Sequence, residues 1–274
     1  MQAEVANSCP KHIYNTMHTL YFDCSSGVCG DMILSALLDL GIEKDRLVNE
    51  LKKLPLEGWH IELTTVSRND IHAKHLEVKF EEPTHYHHYG HIHKHESEYE
   101  HARRSMEDIE RIINISGISN NAKLLAKNIF FRLAIAEARV HDTTPEEVHF
   151  HEVGAIDSIL DIVGTAICID ILSPDIICAS DLQDGYGFIE CHHGTIPVPV
   201  PAVVEILAEK DIPLKQIDVE GEMITPTGAA IIVELAESFG PAPEMEILKI
   251  GYGSGKKIFP LSNVLKIMQG NIFH

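Results

Sequence analysis

A chain of 274 residues that is 45% hydrophobic can bury a substantial core and is long enough for one large or two modest domains. Its 22 Lys and Arg against 41 Asp and Glu give a formal net charge of −19, which argues against nucleic-acid partners, whose phosphates need cationic side chains, and weakly favours traffic in cations. No apolar stretch reaches the roughly 20 residues of a membrane span, and Met1 to Met17 lack a signal-peptide core, so the sequence reads as a cytoplasmic protein without a membrane partner.

Residues 1–17 read as a flexible N-terminal extension, and patterned sequence begins at His18. His18 to Phe22 predicts a short buried strand, Asp23 to Gly30 a turn-rich loop, and Asp31 to Leu40 a helix stopped at Gly41. Asp45 to Leu54 reads as helix, His60 to Val66 and His72 to Phe80 as a strand pair, and Glu81 to Glu98 as a mobile loop where the pattern fails. Helices are expected over Tyr99 to Ile113 and Asn120 to Val140, then a capped turn at Thr144-Pro145, then a helix from about Gly154 to Leu172. Asp175 to Asp181 and Gly187 to Cys191 read as strands, Pro201 to Glu209 and Pro226 to Phe239 as helices, and Glu244 to Tyr252 and Asn263 to Met268 as closing strands. The alternation predicts an α/β fold of mixed sheets with packed helices, divided at the His-rich loop 81–98 into subdomains 18–80 and 99–274.

Several segments carry candidate chemistry. His85, His87, His88, His91, His93 and His95 place six imidazoles in eleven residues, a composition suited to capturing a borderline cation such as Ni, Zn or Cu; the alternative is a polar low-complexity loop. His149, His151, Glu152, Asp157 and Asp161 put a His-x-His pair ahead of two carboxylates at i and i+4 on one helix face, a set able to hold a divalent ion or supply a general base. The plain alternative is that the two aspartates cap and solvate a helix start. The strand-to-helix loop Ser25 to Gly30 can aim backbone N–H groups at a phosphate, and Thr225-Pro-Thr227-Gly228 has the composition of an anion-receiving helix start. Neither these nor Gly251 to Lys257 matches a P-loop, and a tight turn is the simpler reading of each glycine cluster. Cys191-His192-His193 joins a soft ligand to two borderline ones, a weak signal alone. The six cysteines form no C-x-x-C pair and read as reduced thiols.

Taken in chain order, Phe22-Asp-Cys-Ser-Ser-Gly-Val-Cys-Gly-Asp-Met32, the His-rich loop, Val148 to Gly164, His193-Gly-Thr-Ile-Pro-Val-Pro, Thr225-Pro-Thr-Gly-Ala-Ala230 and Gly251-Tyr-Gly-Ser-Gly255 with Asn263-Val-Leu265 closely resemble the LarC nickel insertion family. The resemblance runs from His18 to about Gly270. It implies a metal-chelatase type lyase, a cyclometallase. Such an enzyme places nickel into pyridinium-3,5-bisthiocarboxylic acid mononucleotide through two Ni–S bonds and one Ni–C bond, in a CTP-dependent reaction that completes the nickel pincer cofactor of lactate racemase.

Under this resemblance the nucleotide falls to Asp23, Ser25, Ser26, Gly27, Gly30, Asp31, Thr225, Thr227 and Gly228. Nickel falls to the loop histidines with His149, His151, His192 and His193, and the chemistry to His151, Glu152, Asp157 and Asp161. Full-length members carry a further C-terminal domain associated with CTP and a divalent cation, so this sequence corresponds to the N-terminal part, with that domain as partner in cis or as a separate chain. A non-catalytic nickel chaperone or storage module is the competing reading, and the oligomeric state, including a homo-oligomer, stays open.

Overall fold

The computed structural model describes residues 16–80, 104–150, 155–191 and 194–273. Strand β1 (Thr16–Asp23) turns into helix α1 (Gly30–Asp39), followed by α2 (Lys44–Leu51) and the hairpin β2 (Trp59–Arg68) and β3 (Ile71–Phe80). The hairpin turns on Asn69 and Asp70, both at positive φ, residue types that tolerate the left-handed conformation such a turn demands. Next come β4 (Arg104–Ser105), α3 (Met106–Ile115), α4 (Asn120–His141), β5 (His149–Phe150) and α5 (Ile156–Leu172). The chain continues through β6 (Ile176–Ala179), β7 (Leu182–Cys191), β8 (Gly194–Val198), α6 (Pro201–Ala208), β9 (Leu214–Glu220) and α7 (Pro226–Leu235). It closes with β10 (Ser238–Phe239), β11 (Met245–Ser254) and β12 (Val264–Phe273).

The expected α/β class holds. A seven-stranded mixed sheet has the order β10-β6-β1-β12-β11-β3-β2, a three-stranded sheet the order β8-β7-β9, and β4 pairs with β5. The large sheet takes β1, β2 and β3 from before residue 81 and the other four strands from after residue 103, so residues on both sides of the expected division share one sheet. Strand alternation sorts its side chains: Leu20, Phe22, Ile177, Ala179 and Ile267 join the main core under the helices, while Tyr21, Cys178 and Met268 form a small cluster of their own.

Helix α5 is apolar all round because it is enclosed by α1, α2, α4 and α7, and between Ile159 and Ile169 its only charged residue is Asp161. Arg132 of α4, itself nearly buried, ties α7 and the end of α6 to this layer through Glu234 (2.6 Å) and Glu209 (2.7 Å). Among the described residues no helix is long and apolar enough to cross a membrane, and the described cysteines are free.

The structure departs from the sequence reading in four places. The helix expected to run to Phe239 ends at Leu235, because Glu237 and Gly240 donate to Ile177 and Ala179 and draw Ser238–Phe239 onto the sheet edge as β10. Strands β8 and β9 went unread, β8 because Pro197 masks it; proline is tolerated there since β8 is an edge strand. Helix α3 begins at Met106, where Ser105 and Asp108 form a reciprocal capping box. Finally, Gly251, Gly253 and Gly255 form no tight turn. Gly251 and Gly253 lie on one face of β11 directly beneath α1, and Gly255 follows the strand.

That glycine track sets the depth at which α1 sits. A Cβ at Gly253 would lie 2.0 Å from the carbonyl oxygen of Met32, and one at Gly251 would lie 2.2 Å from that of Ala36. Gly253→Ala must therefore push α1 away from the sheet, at a cost of about 3 kcal/mol. Gly117→Ala, whose Cβ would make only ordinary contacts with Lys53, should change stability by less than about 0.5 kcal/mol. Urea unfolding of the two variants measures this difference, and equal stabilities would show that the track is not a packing constraint.

Candidate functional site

A cavity of about 440 Å³ opens where four helices begin. Gly30 and Asp31 of α1, Asp157, Ser158 and Asp161 of α5, Pro201 and Ala202 of α6, and Thr225, Pro226 and Thr227 at the start of α7 all line it. Three of these helix starts, at Cys29, Ala155 and Val200, have no side-chain cap; at the fourth, the Thr225 hydroxyl accepts the Gly228 N–H. Helix starts carry partial positive charge and unsatisfied N–H groups, so their convergence favours anions. Phe150, Ile189, Ile196 and Met223 add apolar lining, and the β11–β12 loop adds Lys256, Lys257, Phe259 and Asn263.

Asp161 lines this cavity beside Gly30. Glycine at position 30 lets it in, since a Cβ there would lie 2.7 Å from Asp161 Oδ2. Asp161 keeps a little solvent exposure as a residue, yet its Oδ1 is sealed from solvent without a hydrogen-bond partner. Burial and the neighbouring Asp31 and Asp157 carboxylates push its carboxyl well above the usual range, with Lys256 acting in the other direction. Burial, then Asp31 and Asp161, likewise push up the Cys29 thiol, which stays neutral near pH 7. The Lys256 ammonium stands 3.8 Å from Asp157, and against the effect of burial Asp157, Asp31, Asp161 and Glu77 raise its affinity for its proton.

The structure gathers six of the expected site residues, Gly30, Asp31, Asp157, Asp161, Thr225 and Thr227, at this cavity. The spacing of Asp157 and Asp161 does bring both to one side of α5. Asp23, Ser25, Ser26, Gly27 and Gly228 are not among the lining residues and stand behind it. Asp23 pairs with Lys266 (2.8 Å) and accepts the Ser25 N–H; Gly27, at φ +89°, faces the Met223 carbonyl, and Gly228 faces that of Val28. His149 is exposed on β5 opposite Ser105 and does not line the cavity. His151, Glu152, His192, His193 and the six loop histidines lie outside the described residues, although Phe150 and Cys191, which precede two of these segments, do line it. Among the described residues no three His, Cys, Asp or Glu side chains are arranged to hold a metal ion.

The sequence reading missed Cys29, Lys256, Lys257, Glu222 and Asn263 on the cavity wall, and Asp184 behind it. Asp184 of β7 is fully buried, and its Oδ1 accepts the N–H groups of Gly185 (2.8 Å), Met223 (2.8 Å) and Ile224 (3.2 Å). The segment it holds exchanges backbone hydrogen bonds with Val28, from Val28 N–H to Met223 and from Thr225 N–H to Val28. A single carboxylate thereby joins the starts of α1 and α7. Nothing in the surrounding sequence, Asp181-Leu-Gln183-Asp184-Gly185, signals this role.

These features define a mixed α/β protein whose helix starts converge on a charged small-molecule cavity. The chain belongs to the nickel insertion protein family, whose sequence profile matches residues 20–272. It is 50% identical over 255 residues to a pyridinium-3,5-bisthiocarboxylic acid mononucleotide nickel insertion protein of Acetivibrio thermocellus, covering 93% of this chain and 61% of that relative. A protein of the same name from Clostridium kluyveri is 44% identical over 261 residues, covering 93% of this chain and 62% of the relative. The chain thus spans less than two thirds of the length of these relatives. No solved structure matches it.

Two outcomes test the site's energetics. Asp184→Ala leaves three backbone N–H groups without their acceptor and should lower the unfolding free energy by about 3 kcal/mol, whereas Asp184→Asn, which retains one acceptor oxygen, should lose less. Urea titration separates the two. Asp161 holds its proton more tightly folded than unfolded, so its ionisation opposes folding and stability falls as pH rises above the unfolded value of about 3.9. Asp161→Asn should then melt above the wild type at about pH 8 and level with it near pH 4 in calorimetric scans; equal melting at both would mean that the carboxyl carries no desolvation cost.

Proposed function

We propose that this cavity is where nickel is inserted into pyridinium-3,5-bisthiocarboxylic acid mononucleotide. The reading is carried by one observation: Asp161, a carboxyl without a hydrogen-bond partner whose Oδ1 is sealed from solvent, lines a cavity shared by four helix starts, Lys256 and apolar side chains. The helix starts and Lys256 suit the phosphate and thiocarboxylates, and the lining of Phe150, Ile189, Ile196 and Met223 suits the face of a pyridinium ring. Nickel is a substrate here. When it bonds to the ring carbon, the C–H electron pair goes to the metal and the proton must leave. The ionised form of Asp161, made a stronger base than an ordinary carboxylate by its surroundings, is the acceptor, with Asp157 beside it.

The names of the relatives support the substrate, and the match over residues 20–272 supports the family. The finer assignment follows the family resemblance: a lyase of the cyclometallase type, serving the pincer cofactor of lactate racemase. CTP with a divalent cation would then be used through a C-terminal domain, supplied in cis or as a separate chain, with this chain as the N-terminal part. His151 and Glu152 remain candidates for the chemistry, and the loop histidines with His149, His192 and His193 for nickel capture. A storage module would have no need of a buried carboxyl that burdens the fold.

The test is cofactor formation, followed by mass spectrometry, with nickel, CTP, the metal-free nucleotide and an added C-terminal domain of the family. Asp161→Asn keeps the shape and removes the basicity, so the rate should fall by about 100-fold to 10,000-fold while the nucleotide still binds. A wild-type rate would remove Asp161 from the chemistry.

A further inference from the structure

In the apolar run of α5 from Ile159 to Ile169, only two side chains bear oxygen, Asp161 and Thr165. They stand four residues apart, which puts both on one face of the helix with Cβ atoms about 5–6 Å apart, and the Cα–Cβ bond of Thr165 leans back toward Asp161. Each has an oxygen sealed from solvent without a hydrogen-bond partner, Asp161 Oδ1 and Thr165 Oγ1. Thr165 is fully buried. A threonine inside a helix ordinarily turns its hydroxyl onto the carbonyl one turn back; Thr165 does not, so its O–H is uncommitted. The buried hydroxyl of Ser35, on the adjoining α1, is already spent on the carbonyls of Asp31 (2.6 Å) and Met32 (3.2 Å). Two sealed polar groups one turn apart each oppose folding, and a hydrogen bond between them relieves both.

We infer that Thr165 is a positioning residue for Asp161: its hydroxyl turns onto Oδ1 when the carboxyl ionises, and holds the carboxylate with Oδ2, the oxygen facing Gly30, toward the cavity. This deepens the reading of Asp161 as proton acceptor and rests on it. The movement is a side-chain rotation in which no covalent bond changes; the hydroxyl donates, Oδ1 accepts, and the proton leaving the ring carbon goes to Oδ2. A donor to the ionised form favours that form, so Thr165 works against burial and the Asp31 and Asp157 carboxylates, which push the carboxyl up. The other titratable groups on the cavity are Cys29 of α1, Glu137 and His141 of α4, Glu222, and Lys256 and Lys257. None of them bonds Oδ1. Arg46 of α2 acts further along the helix, on Cys168, and Glu234 of α7 is held by Arg132 of α4.

The experiment is a carbon NMR titration of the 274-residue chain labelled at its aspartate carboxyl carbons, with the Asp161 resonance assigned by its loss in Asp161→Asn. Thr165→Val keeps the volume and removes the donor, and Thr165→Ala stands in should the valine variant fail to fold. Either should raise the Asp161 midpoint by about one to two pH units, the size of a hydrogen bond to a charged group, and Thr165→Ser should restore it. In cofactor formation the acidic limb of the rate profile should move by the same amount and the alkaline plateau should stay in place, whereas a packing defect lowers the rate at every pH. A midpoint unchanged in Thr165→Val and Thr165→Ala overturns the inference and leaves Asp161 as the acceptor. A shifted midpoint with an unmoved rate profile upholds the Thr165 bond and removes Asp161 from the chemistry. A wild-type Asp161 that stays protonated up to about pH 10 overturns both.

Discussion

The cavity exists because α1 lies closer to its neighbours than side chains would permit. Gly251, Gly253 and Gly255 clear the sheet beneath it, Gly164 admits Leu34 from the side of α5, and Gly228 lets α7 approach Val28 and Cys29. Gly30, at the start of α1, then faces Asp161 directly. A helix seated this deep brings its first turn level with the first turns of α5 and α7, and their N–H groups share one space with the carboxylates of α1 and α5. Glycine is used here for its lack of a Cβ more than for its backbone freedom, a role that only close packing reveals.

This arrangement sets charge against burial. A carboxyl in the middle of an apolar helix opposes folding unless it is paired, and Asp161 has Lys256 in range but no hydrogen-bond partner on Oδ1. Asp184 differs in that its Oδ1 accepts three backbone N–H groups, although its Oδ2 is also buried without a partner and burial still pushes its carboxyl up. Asp184 is tied to the backbone through Oδ1, whereas Asp161 accepts no hydrogen bond and lines the cavity.

Much of this architecture was legible in the sequence. Period-two and period-3.6 patterns located β1, α1, the β2–β3 hairpin, α4, α5 and β12 within a few residues, because each buries one regular face or lies wholly within the core. What escaped was set by partners distant in sequence: β10 by pairing with β6, β8 by an edge position that tolerates Pro197, and the glycines of β11 by the helix above them. At the site, Asp157, Asp161, Gly30, Asp31, Thr225 and Thr227 could be named because helix starts and i, i+4 spacing are local signals. Lys256, Glu222 and Asp184 could not, since nothing near them in the chain tells which side chain will face them across a turn or a sheet.

The central claim is that one cavity at the starts of α1, α5, α6 and α7 receives both metal and nucleotide. Hydrogen exchange read by mass spectrometry on the chain with nickel and a pyridine mononucleotide measures this directly. The account predicts slowed exchange together in the peptides spanning residues 29–33, 156–161 and 225–229, with α2 and α3 unchanged. Protection confined to other elements, or the absence of protection at those three helix starts, would contradict it.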